Sequence, residues 1–236
     1  MRHLLLLFGI LLLASCFEVR EEVWVHRDGS GRLQIDLTVP ARAVSLAGGG
    51  TELRASLDSW FASNPQVVLE SLTVHPPTDG GDQTLTLTAT APSLRDLATL
   101  SEHPSSEAPV PGMEKLAGDF DVRVSAMGID FHRQLDLSDA LGLAKFAITP
   151  SERRERKLDY IVHLPTASRS NNADQVLDGG RTLIWHRTLG QALAAPVEMR
   201  FQAPLPFPVL PIAAGGLVTL GLAAFFAIRR LRRGRS

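Results

Sequence analysis

The longest uncharged run of the chain, from Phe201 to Ile228, restricts what this protein can be more than any other stretch. Residues 208–228 within it are rich in Leu, Ala, Gly, Val, Ile and Phe. At about 1.5 Å per residue, about 20 such residues cross the hydrocarbon core of a bilayer as a helix. Prolines occur only up to Pro211, and proline is tolerated at a helix start. The sequence therefore predicts a transmembrane helix over residues 208–228.

A short basic tail follows this predicted helix. Its arginines are Arg229, Arg230, Arg232, Arg233 and Arg235. Because basic residues directly beside a span stay on the cytoplasmic side, residues 229–236 are predicted to be cytoplasmic and the preceding domain extracytoplasmic. A nucleic-acid patch is the other interpretation of such a cluster, and the adjoining span argues against it.

The N-terminus has the pattern of a secretory signal. Arg2 precedes an uncharged stretch over residues 4–15, which is too short to cross a bilayer as a span. We therefore predict that residues 1–15 are a signal peptide and are removed from the mature protein.

The signal ends in a sequence similar to the lipobox of bacterial lipoproteins. The residues that a signal peptidase would recognise there are Leu13, Ala14 and Ser15, directly before Cys16. Cys16 is the only cysteine of the chain, so an intramolecular disulfide cannot account for it. Cys16 is predicted to carry a covalent diacylglycerol, and no other cofactor is expected. An ordinary cleaved signal, followed by a cysteine of no significance, is the alternative.

Charge separates the predicted exported domain from the two ends. Of 24 Lys and Arg, one lies in the signal and five in the tail, whereas all 25 Asp and Glu lie between Glu18 and Glu198. Residues 16–203 therefore carry a net charge of about −7, which argues against a nucleic-acid partner and against simple electrostatic attraction of the whole domain to anionic lipid. Without a disulfide, a domain of this length must be stabilised by its own core.

Alternation of apolar residues with period two predicts strands along this domain. The stretches with this pattern are 18–40 around an Asp-Gly turn, 67–90 around a Pro-rich turn, 120–137, 158–164, 182–187 and 197–203. Helical spacing is found over residues 51–61, and shorter helices are predicted at 93–98 and 138–146. We predict an α+β fold, a largely antiparallel β-sheet with two or three helices packed on one side.

Two polar stretches are predicted to be irregular. Residues 101–118 contain three prolines and few apolar residues, which predicts a mobile loop. Residues 151–157 are highly charged and are predicted to be a loop or a strand edge.

Glu21 interrupts the apolar face of the first strand once. Together with Glu22 it could form a carboxylate site, but exposed charges at a strand edge explain both residues better. Trp60 and Phe61 are predicted to belong to the core. A helix over a curved sheet can also leave an apolar cleft for an acyl chain.

Motifs of catalysis are missing from the sequence. It contains no nucleophile elbow, zinc-protease motif, paired-cysteine metal spacing or dinucleotide fingerprint. The four polar residues Asn171, Asn172, Asp174 and Asp178 could surround a calcium ion, but their spacing is more typical of a solvated turn. We therefore expect a protein that is not an enzyme and has no catalytic or metal-binding residues.

The chain resembles the LppM-type family of envelope lipoproteins. The residues that carry the resemblance are the lipobox Cys16, the hairpin residues 23–31, His163-Leu164-Pro165, residues 178–185 and the C-terminal span with its basic tail. The resemblance implies an α/β domain displayed outside the membrane, with binding of a lipid or glycolipid and no known catalysis.

Together these features predict a doubly anchored lipoprotein of the bacterial cytoplasmic membrane. Its partners would be the membrane and a lipid or an envelope protein. The alternative is a structural or assembly factor that acts through its sheet edge or its transmembrane helix. Two anchors further predict that the first strand lies beside the last, with both ends of the domain at one membrane surface.

Overall fold

The structure is a computed structural model that describes residues 18–46, 49–62, 64–78, 81–97, 118–125 and 128–205. The chain divides into one unit up to Leu205 and a second from Pro206 to Ser236, and the second lies outside the described residues. The signal peptide, Cys16, the predicted loop up to residue 117, the span over 208–228 and the basic tail also lie outside them. These predictions stay predictions.

The described residues form eleven strands. They are β1 (Glu18–Val25), β2 (Gly31–Pro40), β3 (Val68–Val74), β4 (Asp82–Ala91), β5 (Asp119–Ser125), β6 (Gly128–Leu135), β7 (Lys157–His163), β8 (Ser170–Asn171), β9 (Gln175–Leu177), β10 (Thr182–Thr188) and β11 (Val197–Ala203). A seven-stranded sheet has the order β3-β4-β2-β1-β7-β10-β9, and a four-stranded sheet has the order β5-β6-β11-β8. All neighbours are antiparallel except β1 and β7, which are parallel.

The predicted opening hairpin is confirmed. β1 and β2 pair from Glu18 opposite Thr38 to Val25 opposite Gly31. The Asp28 side chain accepts a hydrogen bond from the Ser30 backbone N–H at 3.0 Å, and Gly29 has a φ of 86°. An Asp-Gly turn of this kind fits the twist of two paired strands, so the turn residues set the register of the hairpin.

Five α-helices and one 3₁₀-helix are found among the described residues, more than the two or three predicted. They are α1 (Ala41–Leu46), α2 (Gly49–Ala62), α3 (Leu137–Leu141), the 3₁₀-helix Gly142–Ala147, α4 (Pro150–Glu155) and α5 (Leu189–Ala194). A helical turn also covers residues 94–97. No helix of the described segments has the length and apolar character that a membrane span requires.

The prediction of a loop or strand edge over residues 151–157 was wrong for most of that stretch, since α4 occupies it. Thr149 accepts a hydrogen bond from the Glu152 backbone, and the Glu152 carboxylate accepts one from the Thr149 backbone, which forms a capping box. Pro150 stands at the first helical position, where a missing N–H costs nothing. Of residues 151–157, only the last, Lys157, belongs to a strand.

One face of the large sheet holds the core. Helix α2 covers this face at the β3–β4 side, where Leu57 and Phe61 pack with Val67, Ala89 and Ala91. On β1, β7 and β10, the same face meets the four-stranded sheet, whose inner residues include Phe131, Met199 and Phe201. The α+β class is confirmed, but the strands divide into two facing sheets.

The chain enters and leaves the domain at opposite ends of the strands. β1 starts beside the start of β7, with Val19 opposite Leu158, and Trp24 near its end lies opposite His163. Three residues beyond His163, the Thr166 hydroxyl donates a hydrogen bond to the carbonyl of Pro204. Leu205 therefore lies at the end of β1 that is remote from Glu18. The prediction that the first strand lies beside the last was wrong, because β1 pairs with β2 and β7 while β11 belongs to the other sheet.

Gly128, at the start of β6, is expected to be far less replaceable than Gly29. Both glycines have a positive φ, 141° for Gly128 and 86° for Gly29. An alanine in such a backbone conformation lowers the free energy of unfolding by about 1–3 kcal/mol. A Cβ at Gly128 would also stand 2.2 Å from the carbonyl oxygen of Ala203, whereas one at Gly29 meets nothing within 4 Å. Urea denaturation should therefore show a clearly larger loss of unfolding free energy for Gly128→Ala than for Gly29→Ala. Equal losses would contradict the close approach of β6 and β11.

Candidate functional site

A small cleft lies between the inner faces of the two sheets. Its free volume is about 50 Å³. The residues that line it are mostly apolar: Glu21, Val23, Val25, Leu33, Leu94, Leu97, Phe120, Val122, Phe131, Arg133, Tyr160, Ile161, Val162, Met199 and Phe201. The cleft is the place where strands from both sheets and the helical turn over 94–97 meet.

The helical turn closes one side of the cleft. The Leu94 backbone N–H donates to the carbonyl of Gly29 at 3.0 Å, which ties the turn to the opening hairpin. A Cβ built at Gly31 would stand only 2.7 Å from Cδ1 of Leu97. The lack of a side chain at Gly31 therefore lets the turn pack directly on the end of β2.

An ion pair crosses the cleft from one sheet to the other. The Nη1 atom of Arg133 on β6 donates to Oε1 of Glu21 on β1 at 2.6 Å. Only 5% of the Arg133 side chain and 13% of the Glu21 side chain are exposed. The prediction that Glu21 is an exposed strand-edge charge was wrong, because β1 is the central strand of the large sheet and Glu21 lies on its inner face.

Aromatic rings surround the buried guanidinium. The Cζ atom of Arg133 lies 4.6 Å from the centroid of the Phe120 ring and 5.4 Å from that of Tyr160. Both distances fit cation–π contacts, which strengthen when water is excluded. Burial raises the pKa of the Tyr160 hydroxyl; the charge of Arg133 opposes this effect, and that of Glu21 adds to it. The phenol is therefore neutral throughout the physiological pH range.

The cleft combines a few polar groups with apolar walls. It offers one cation, one carboxylate and one neutral phenol among apolar walls, and a guanidinium is the side chain best suited to a planar anionic group. The described parts of the chain contain no group of three or more His, Cys, Asp or Glu placed to hold a metal ion.

The outer face of the large sheet carries a separate aromatic stack. Trp24 stacks on His163, with ring centroids 5.1 Å apart, and the guanidinium of Arg32 lies 5.3 Å from the Trp24 centroid. These three residues are direct neighbours across β2, β1 and β7. They cover the polar side of the sheet and do not reach the cleft.

The residues considered for calcium have structural partners instead. The Oδ1 atom of Asn172 accepts from the indole N–H of Trp185 at 3.0 Å and from the backbone N–H of Arg200 at 2.7 Å. Asp174 accepts from Arg187, and Asp178 accepts from the Thr182 hydroxyl, both at 2.5 Å. The Asn172 contacts join β10 of the large sheet to β11 of the small one, whereas those of Asp174 and Asp178 both go to β10.

The lipobox residues and the tail arginines predicted as sites lie outside the described residues. The sequence interpretation missed the Glu21–Arg133 pair, although both residues carry the same signal. Each interrupts an alternating apolar series, Val19, Val23 and Val25 for Glu21 and Ile129, Phe131 and Leu135 for Arg133. A single charged residue on the inner face of each of two sheets can indicate an ion pair that joins the sheets.

No family model matches this chain, and no curated protein matches it. Among solved structures, the NMR structure of the folded domain of Mycobacterium tuberculosis LppM covers 82% of this chain and 92% of that chain, at 14% sequence identity and a TM-score of 0.48.

Removing one partner of the buried ion pair is expected to destabilise the domain strongly. Glu21→Leu leaves the Arg133 charge without its carboxylate, which typically costs about 3–5 kcal/mol, whereas Glu21→Leu combined with Arg133→Met should restore most of the loss. Urea denaturation of both variants measures this difference. The exposed pair Arg123–Asp121 is the control, and Asp121→Ala should change stability by at most about 1 kcal/mol. A double variant as unstable as Glu21→Leu would contradict the assignment.

Alkaline pH is expected to destabilise the domain through Tyr160, the only tyrosine of the chain. Burial raises the pKa of Tyr160 in the folded state. The contribution of Tyr160 to the free energy of unfolding is therefore complete below its unfolded pKa of about 10, and it is lost as the pH rises above that value. The ultraviolet absorbance of the phenolate should therefore appear together with unfolding. Tyr160→Phe should reduce this alkaline loss of stability, and a phenolate that forms in the folded protein near its ordinary pKa would refute the burial.

Proposed function

We propose that this chain is a doubly anchored lipoprotein of the bacterial cytoplasmic membrane that binds a lipid, a glycolipid or a membrane partner without catalysis. The acyl group on Cys16 and the helix over residues 208–228 anchor it. Residues 16–203 stand on the outer surface, and the arginine-rich tail is cytoplasmic. The lipobox, the uncharged C-terminal run and the tail support this topology.

The observation that carries the binding proposal is the cleft between the sheets. Its apolar walls suit a hydrocarbon chain, and the buried Arg133–Glu21 pair supplies the few polar groups of the lining. Binding sites for amphipathic ligands combine mostly apolar walls with a few polar groups in this way.

The volume of the cleft limits what it can hold. Its 50 Å³ compare with about 300–1,000 Å³ for pockets that enclose a whole small-molecule ligand. A ligand would therefore insert only the end of one apolar chain, while the rest stays outside the domain. A lipid that is still partly in the bilayer, or one apolar side chain of a partner, meets this condition.

The same small volume favours the alternative function. A structural or assembly factor needs no internal pocket, because it acts through a sheet edge or a membrane helix. Edge strand β9 has two exposed apolar residues, Val176 and Leu177, each 47% exposed. An edge of this kind can pair with another chain.

The two functions are distinguished by filling the cleft. Leu33 and Gln34 are neighbours on β2, and only Leu33 lines the cleft. We expect Leu33→Trp to reduce the lipid that copurifies with the full chain from membranes, as measured by native mass spectrometry, because the indole occupies the free space.

Gln34→Trp on the outer face should leave the copurifying lipid unchanged. Thermal unfolding of both variants shows whether each remains folded. Equal lipid retention by the two folded variants, or no bound lipid besides the covalent acyl group in the parent chain, would reject the cleft as a lipid site and leave the assembly role.

A further inference from the structure

The two chain ends of the domain are separated along the strands. Glu18 begins β1 at one end, and Leu205 follows β11 at the other. β1 contains 8 residues, and at about 3.3 Å per residue the two ends lie about 25 Å apart along the strand direction. Any attachment at both ends therefore restricts how the domain can be oriented.

This restriction becomes strong if both proposed anchors exist, and the inference rests on that part of the proposed function. One residue separates Cys16 from Glu18, a reach of about 7 Å over two Cα–Cα steps, and two residues separate Leu205 from residue 208, a reach of about 10 Å over three steps. A domain standing upright on its Leu205 end would hold Glu18 about 25 Å from the bilayer, whereas one lying on β9, three strand spacings from β1, holds it about 14 Å away and so brings Cys16 much closer to the headgroups. The strands must therefore lie along the membrane surface or at a low angle to it.

Hydrogen bonds connect the β8–β9 side of the domain to the residues before Leu205, the last described residue. Leu177 on β9 accepts from the Gly180 N–H at 3.0 Å, and Gly180 accepts from the Ser168 N–H at 2.8 Å. Two residues before Ser168, Thr166 donates to Pro204, the residue before Leu205. A short series of hydrogen-bonded contacts thus joins the exposed edge to the point where the chain leaves for the span.

The composition of this edge suits a lipid interface. Val176 and Leu177 are both 47% exposed, although their stretch of chain is well ordered by hydrogen bonds to β10. Arg169 and Arg181 are exposed nearby, at positions from which guanidinium groups can meet anionic headgroups. The acidic residues of the segment, Asp174 and Asp178, are bonded to Arg187 and Thr182.

We propose that the domain lies on the membrane along its β9 edge, with Val176 and Leu177 in the lipid interface and the strands nearly parallel to the bilayer. The partner of this surface is the bilayer that holds both anchors. The opposite edge of the large sheet, β3, then points away from the membrane.

Two residues at the same level of the sheet provide a matched test. Leu177 and Val68 occupy opposite ends of one row of paired residues that runs across all seven strands through Thr182, His163, Trp24, Arg32 and Thr90. Six interstrand spacings of about 4.8 Å separate them by about 29 Å. An upright domain would place both at the same distance from the membrane, whereas a domain lying on β9 places only Leu177 close to it.

The experiment uses the full acylated chain with one introduced cysteine, Leu177→Cys or Val68→Cys, since acylation leaves no free thiol at Cys16. Each variant is labelled with bimane and reconstituted into vesicles of phosphatidylethanolamine and phosphatidylglycerol that contain a lipid with a shallow nitroxide quencher. The quencher occupies both leaflets, so the direction of insertion does not matter. We expect several-fold stronger quenching at position 177 than at position 68.

Equal quenching at the two positions, or stronger quenching at position 68, would overturn this orientation. Thermal unfolding confirms that each variant is folded, and Val176→Cys replaces Leu177→Cys if the latter is not. Fatty-acid labelling that depends on Cys16, and resistance of the chain to alkaline extraction, test the anchors separately. Failure of either anchor would overturn the proposed topology together with this inference, whereas intact anchors with equal quenching would overturn the orientation alone.

Discussion

A carboxylate from the central strand of one sheet and a guanidinium from the other meet inside this domain, at 2.6 Å. Removing two such charges from water costs several kcal/mol for each ion, and only close contact and further favourable neighbours offset it. Glu21 and Arg133 fulfil this condition, because Phe120 and Tyr160 lie against the guanidinium. A sliding of one sheet over the other would separate the charges, so the pair favours a single relative position of the sheets. The same pair gives the otherwise apolar cleft its polar character.

The order of the strands has a consequence for the membrane. β10 runs toward the end of the domain where β1 begins, α5 reverses the chain there, and β11 returns to the opposite end. The exit at Leu205 is therefore remote from the entry at Glu18. A protein held only by its acyl group could tilt freely about one end, whereas one held at both ends must bring a long side of the domain to the bilayer. The exposed apolar residues of β9 lie at the same end of the strands as Leu205.

Local elements of this fold were predictable from the sequence, and their assembly was not. Period-two alternation and an Asp-Gly turn identified the β1–β2 hairpin, and helical spacing identified α2. Helix α4 was missed because a capping box and an N-terminal proline stabilise a short charged helix without any apolar periodicity. The partners of the ion pair are separated by 112 positions, and β1 pairs with β7 across most of the chain. Such contacts depend on which strands share a sheet, which local patterns do not determine. Of the candidate site, only the break at Glu21 was predicted from the sequence, whereas Arg133 and its contact with Glu21 were not.

Attachment to the membrane through Cys16 is the claim on which the proposed function and the orientation both depend. The most direct measurement is the intact mass of the mature protein isolated from bacterial membranes, with fragmentation of its first residues. We expect a chain that begins at Cys16 and carries a diacylglycerol on the cysteine sulfur. A mature chain that begins elsewhere, or one in which Cys16 is unmodified, would contradict attachment through Cys16.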